Sequence, residues 1–273
     1  MDIHKPKPIR NWREFLTEVG TIVLGVCIAL TAEQGVEYIH WRNQVADARR
    51  IIASEMALNT TSAIAVLRTQ SCVERRLDEL ARILDAASRS GSLPPVGFIA
   101  APPRRGWAGG AWDGVLSSQV ATHFCRQQLA SLSRLYNTVR LSQAYSPLEL
   151  EPWSTLATMT GPGRRLDPAS EADLRKAISM ARSYIRTRTN LALQMLRNLN
   201  RLNLPYNQSD KQAMAAARDE SLMGGKITAE NSSPLFLICQ PIGAAPSTYG
   251  HTPLAEAPGI TEAGMKLLPD LGQ

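Results

Sequence analysis

FLTEVGTIVLGVCIALTAEQGVEYIHW, residues Phe15–Trp41, is the one long apolar stretch in a 273-residue chain otherwise written in polar, helix-forming residues. Its charge-free core, Val19–Ala32, makes about 21 Å of helix, which is short against the roughly 30 Å of hydrocarbon in a bilayer. Phe15 and Leu16 extend it ahead of Glu18, and Val36 and Ile39 extend it past Glu33. Trp12 and Trp41 stand where interfacial aromatics belong, and Arg10 and Arg13 flank the first of them. The expectation is a single transmembrane helix within residues 12–41, tilted or locally thinning the bilayer.

Two other readings of the stretch are a cleaved signal peptide and a buried core helix. The basic start, Lys5, Lys7, Arg10 and Arg13, suits a signal peptide. Glu18 interrupts the approach to the apolar run, however, and a cut after Ala29 would put Cys27 at the minus-three position. Helical sequence also continues straight through that site. The same four basic residues, set against Arg42 alone in the first turns beyond the span, orient it. Residues 1–11 are expected in the cytoplasm and the bulk of the chain in the periplasm, on a bacterial inner membrane.

At about 100° per residue, Glu18, Thr21, Gly25, Ala29 and Ala32 share one side of the span, with Glu33 at its margin. Thr21, Gly25 and Ala29 form a small-xxx-small ladder, which lets helix backbones approach closely in lipid. Small residues are common in spans, so chance also explains the ladder. Two carboxylates on the same side favour contact with protein over contact with lipid.

Trp12, Phe15, Thr21-Ile22, Gly25, Ile28-Ala29-Leu30, Glu33-Gln34, Val36-Glu37 and His40-x-Arg42 continue into Ala48-Arg49 and Glu55 to Asn59. This pattern resembles the opening of a family of uncharacterised bacterial membrane-anchored proteins. Trp112-Asp113-Gly114-Val115-Leu116 and the segment Leu132–Tyr136 resemble it more loosely. The resemblance implies an anchor, a mostly helical extramembrane region and a bacterial source; it implies no activity.

Composition agrees with a mainly α chain: 44% of residues are hydrophobic and only 5% aromatic. No proline falls between Trp12 and Ser90, and no glycine between Gly35 and Gly91. One helix is therefore expected to leave the membrane and run on, with a break near Asn59-Thr60-Thr61-Ser62, whose side chains compete for backbone hydrogen bonds. Val66, Val73, Leu77, Leu80 and Leu84 form its apolar stripe, with Arg68, Glu74, Arg75, Glu79 and Arg82 off it. After a Pro/Gly-rich connection at 91–114, a second helix is expected over Val115–Gln143, its apolar side Val120, Phe124, Leu129, Leu132, Tyr136 and Val139. Ser146-Pro147 closes it, and a short helix over Glu149–Met159 follows. A third long helix opens at Pro168 with a Ser170-x-x-Asp173 capping box and runs to about Leu204. Its stripe is Leu174, Ile178, Ala181, Ile185, Ala192, Leu196 and Leu199. The expected architecture is an antiparallel helical bundle over residues 42–204. Residues 205–273 form an irregular C-terminal segment packed on it, with a helix over Ser209–Met223 and a mobile last twenty residues.

With Cys27 in the span, Cys72, Cys125 and Cys239 remain in an oxidising compartment. A bridge between Cys72 and Cys239, clipping the tail to the long helix, is one reading, and no bridge is the other. Cys125 reads as a small core residue. Glu37-x-x-His40 has the spacing of a di-metal carboxylate site but lacks the second copy such sites need, and His123-x-Cys125 has no evident companions. No Cys-x-x-Cys, phosphate loop or nucleophile elbow occurs. Arg175, Arg182, Arg186 and Arg197 lie along one side of the third helix as a solvated or partner-facing basic patch. The +6 net charge suits anionic lipid or an acidic partner, and without aromatic-interleaved basic motifs no nucleic acid is expected.

The function expected from these residues is non-enzymatic and needs no cofactor or metal. It is that of a bitopic protein whose partners are lipid and, through the span, another membrane protein or itself. An extracytoplasmic ligand-binding sensor is the alternative, and a metal-dependent enzyme a remote one.

Overall fold

The computed structural model describes residues 12–218 and 234–243. The described chain is mainly helical and is built around one helix, α1, Trp12–Ser90, of 79 residues. At 1.5 Å per residue α1 is about 118 Å long. Gly91 stops it by taking φ +70, a left-handed conformation that costs a glycine nothing.

The expected break at Asn59–Ser62 does not occur. Thr60 Oγ1 donates to Met56 O at 2.7 Å and Thr61 Oγ1 to Leu58 O at 2.8 Å, so both hydroxyls bond within the helix rather than against it. Asn59 and Ser62 turn outward to a different chain segment. Asn59 donates to Ala108 O and accepts from Ala108 N, both at 2.8 Å, and Ser62 donates to Gly106 O at 3.0 Å. Side chains that would unravel an isolated helix here fasten the 91–109 connection to it.

The helix expected over Val115–Gln143 is three pieces: α2, Gly110–Ser117; a 3₁₀ turn, Gln119–His123; and α3, Arg126–Leu148. Ser118, Phe124 and Cys125 are extended at the joints. The interruption lets Trp112, Val115, Val120 and Phe124 all reach the core from a segment that a straight helix would carry past it. Pro147 lies inside the last turn of α3, and α4, Leu150–Ala157, follows after Glu149 alone.

The last long helix, α5, Pro168–Leu199, ends before Leu204, and its cap is Asp167 rather than a Ser170 box. Asp167 Oδ1 accepts from the backbone N–H groups of Ala169 and Ser170 at 3.0 and 2.9 Å, and the Ser170 hydroxyl donates to Asp167 Oδ2. With Pro168 at the first helical position, this is a complete N-terminal stop. A final helix, α6, Gln208–Arg218, and a 3₁₀ turn, Pro234–Cys239, complete the described chain. The end of the expected Ser209–Met223 helix and the last twenty residues lie outside the described residues.

Two residues each make up β1, Ser92–Leu93, and β2, Arg164–Arg165, an antiparallel pair extended by the mutual bonds of Val96 and Gly161. This pairing closes the ends of α1 and α5 onto each other. Asp85 meets Arg175, Asp78 meets Arg182, and Arg49 donates to Asn203 O, so α5 runs back along α1.

Two apolar clusters hold these helices. The first joins Ile52, Met56 and Ile64 of α1 to Trp112, Leu135 and Tyr136, and to Met195 and Leu196 of α5. The second joins Val73, Leu77, Leu80 and Leu84 to Trp153 and Leu156 of α4 and to Leu174 and Ile178 of α5. A polar waist separates them: Arg68 and Thr69 on α1 face this level, and Thr189 marks it on α5. Arg68 was expected on the solvent face, yet only 5% of it is exposed. The buried surface of α1 is wider than one stripe, because α5 covers one side and the 234–243 segment another. Arg68, Cys72 and Arg76, spaced by four, all fall beneath neighbours.

Candidate functional site

Three regions carry residues with chemistry to offer: the apolar end of α1, the tail clamp, and the polar waist.

One helix is long and apolar enough to cross a membrane. From Phe15 onward α1 contains an 18-residue window of mean hydropathy 2.0, none of it buried. Every residue from Leu16 to His40 is exposed, including Glu18, Thr21, Ala29, Ala32 and Glu33. A side chain added at Gly25 would meet nothing within 4 Å, so no contact within the chain requires glycine there. The threonine hydroxyls in this stretch bond to their own helix: Thr17 donates to Arg13 O, Thr21 to Thr17 O and Thr31 to Cys27 O, at 2.7–2.9 Å. Trp12, 72% exposed, stacks on Phe15 at 5.5 Å, and Arg13 is exposed beside it. Arg10 lies outside the described residues.

Trp41, placed by its sequence position at an interface, is in addition a packing residue. Its ring stacks on His123 at 4.0 Å and 12°, and its Nε1 donates to Glu37 Oε1 at 3.2 Å. His40 lies 3.2 Å from the Gln44 amide. Glu37, His40 and His123 are thereby engaged with neighbours, and among the described residues no group of three or more His, Cys, Asp or Glu gathers as metal ligands would. Cys125 is exposed, not a core residue, because the extended joint before α3 turns it outward.

Cys72 and Cys239 are joined in a disulfide, with Cα atoms 4.8 Å apart. Arg76, one turn beyond Cys72, completes the clamp: its guanidinium donates to the carbonyls of Ile238 and Gln240 and, through Nε, to Glu79 Oε2. Burial lowers the pKa of Arg76, and Glu79 opposes the shift. Gly97 lies so close to Gly243 that an added Cβ would come within 2.5 Å of its Cα, and Gly243 N donates to Phe98 O at 2.9 Å. Arg76 escapes sequence reading because an arginine next to an apolar stripe normally points to water. Its only signal is the four-residue step from Cys72.

The basic face of α5 divides. Arg175 is held by Glu171 and by Asp85 of α1, and Arg182 by Asp78 of α1, at 2.6–2.9 Å. With Arg186 these two line a polar groove of about 620 Å³ that also carries Ser179, Ser183 and Thr187. Arg197 is exposed away from that groove. The sequence reading counted only charges on α5 itself and so missed the two aspartates of α1.

The polar waist holds Arg68 of α1, Arg105 of the connection, Arg188 of α5 and Glu149 at the α3–α4 joint. Arg188 donates to Glu149 Oε2 at 2.7 Å and to Pro103 O at 3.1 Å, with both side chains of the ion pair largely buried. Burial, together with the nearby charge of Arg105, pulls the pKa of Arg68 down to about 10. Arg105 is lowered by burial and then by Arg188. Glu149 is raised, because burial outweighs the pull of Arg188. The Nε and Nη2 atoms of Arg105, Glu149 Oε1 and Thr189 Oγ1 are buried without a hydrogen-bond partner. A pocket of about 10 Å³, room for roughly one water, opens against Arg188 and Glu149 between Trp107, Tyr145 and Tyr184. Sequence reading missed this cluster entirely, since its members are scattered over four elements and none belongs to a motif.

No protein-family model, curated protein or solved structure matches the chain. Two features stand out in the described residues: an uncovered apolar helix at one end, and the buried cluster of Arg68, Arg105, Arg188 and Glu149 in the middle.

Proposed function

We propose that this chain is a single-span bacterial inner-membrane protein with a cytoplasmic N-terminus and a periplasmic antiparallel helical bundle. Its role is to act as a non-catalytic accessory or structural subunit of a larger membrane complex or homo-oligomer. One observation carries the reading: a run of exposed, mostly apolar residues from Leu16 to His40 whose threonine hydroxyls bond to their own helix. In water so much uncovered apolar surface is a liability, and in lipid a helix whose backbone groups are satisfied internally is the stable form. The resemblance of residues 12–59 to membrane-anchored bacterial proteins points the same way. Glu18 and Glu33, on the side of Thr21, Gly25 and Ala29, favour a protein partner over lipid there.

The test is purification from native membranes in mild detergent, with mass spectrometry of everything that co-elutes, alongside Gly25→Leu/Ala29→Leu. One co-purifying complex, or a homo-oligomer, that the variant loses is the expected result. A lone monomer that the variant leaves unchanged would sink the subunit role. Orientation has its own readout. Cys125 is free and exposed, so a membrane-impermeant maleimide applied to cells with a permeabilised outer membrane should label it. Labelling only after lysis would place the domain in the cytoplasm.

A further inference from the structure

The waist brings Arg105 close to Arg188, whose guanidinium is paired with the largely buried Glu149, an arrangement that helical packing alone does not call for. Burying a cation costs several kcal/mol unless it is paired and its N–H groups are accepted. Arg188 is satisfied by Glu149 and Pro103 O. Arg105 is not: its Nε and Nη2, the two donors of the guanidinium's side-on edge, are buried with no acceptor. That edge presents two parallel N–H bonds, the geometry that binds both oxygens of a planar or tetrahedral oxyanion. Buried polar groups in native proteins are nearly always bonded, so an orphaned pair of this shape marks a missing acceptor.

We propose that the waist binds a small oxyanion, of the phosphate, sulfate or carboxylate class, on the side-on edge of Arg105 with Arg188 beside it, and that Glu149 is a built-in competitor for the site. The carboxylate of Glu149 has the chemistry of the ligand and already occupies one donor of Arg188. The pocket beside Arg188 and Glu149 has room for roughly one water and is not lined by Arg105, so an oxyanion on the Arg105 edge is seated only when the surrounding side chains move. The anion is a free solute and not a lipid headgroup: Arg68, at the level of the cluster, lies about 40 Å along α1 from Trp41. That one clause rests on the membrane reading; the site itself does not.

The experiment is thermal unfolding of the full chain in non-ionic detergent, followed by tryptophan fluorescence. Inorganic phosphate or sulfate is titrated in against chloride at constant ionic strength. Saturable stabilisation by several degrees, seen with the oxyanions and not with chloride, is the expected result. Arg105→Gln should remove that shift while melting no lower than wild type in chloride, because it relieves repulsion with Arg68 and Arg188. Arg105→Lys keeps the charge but loses the side-on edge, and should lose most of the shift. Glu149→Gln should bind several-fold more tightly. Equal shifts in wild type and Arg105→Lys, no shift beyond chloride, or a shift produced by anionic lipid vesicles and not by free phosphate would each overturn the proposal.

Discussion

Glu149 shows how burial and pairing compete at one residue. Arg188 lies 2.7 Å away and favours the carboxylate, yet burial is the larger effect and raises the pKa above the ordinary 4.5. A carboxyl whose folded pKa is raised adds stability that is complete below its unfolded pKa and is lost as pH rises through the folded one. Glu149→Gln, which stays neutral throughout, should therefore gain on the wild type as pH rises from the ordinary carboxylate range through the raised pKa of Glu149. Parallel urea titrations at several pH values check this, and a constant difference would contradict it. Gly97 is the opposite case, a position decided by space alone. An added methyl would collide with the Gly243 backbone, so Gly97→Ala should cost about 1–3 kcal/mol and loosen the tail segment. Nothing near Gly97 in the sequence announces this, because its neighbour is almost 150 residues away.

The elements show where pattern reading succeeds and where tertiary contacts override it. The stripes of α1 and α5 were legible because both helices are long and unbroken, so Leu77, Leu80 and Leu84, like Ile178, Ile185 and Leu196, recur at helical spacing and are buried. The broken stretch 115–125 was not legible: Val120 and Phe124 fit a helical stripe just as well, and only their need to reach the same core as Trp112 reveals the interruption. Asn59 failed for the same reason, its partners lying on the connection. Asn59→Ala should leave the helix content of α1 unchanged by circular dichroism, while unfastening Ala108 at a cost of about 1–3 kcal/mol. Loss of helix signal in that variant would mean that Asn59 supports α1 directly. Of the candidate sites, the long apolar helix was readable from its residues alone, and the arginine waist was invisible because four separate elements assemble it.

At the scale of the molecule, the Cys72–Cys239 bridge spans 167 residues of chain. Closing so long a loop removes much freedom from the unfolded state, about 5 kcal/mol in the chain-entropy description, and less where the unfolded chain keeps structure. Reduction, or Cys72→Ser, should lower the unfolding temperature by many degrees in scans with and without dithiothreitol, and an unchanged midpoint would show that the bridge constrains little. The ion pairs between α1 and α5 matter much less: Arg182→Ala should change stability by under about 1 kcal/mol, as exposed pairs do. The bridge also decides what a protease can do. The 91–109 connection, rich in glycine and proline and partly exposed, is the natural place for a nick. One such cut leaves the fragment that carries α1 and everything beyond it on a single covalent framework, which parts into two bands on a gel only after reduction. A proteolysed copy therefore sheds no domain into the surroundings.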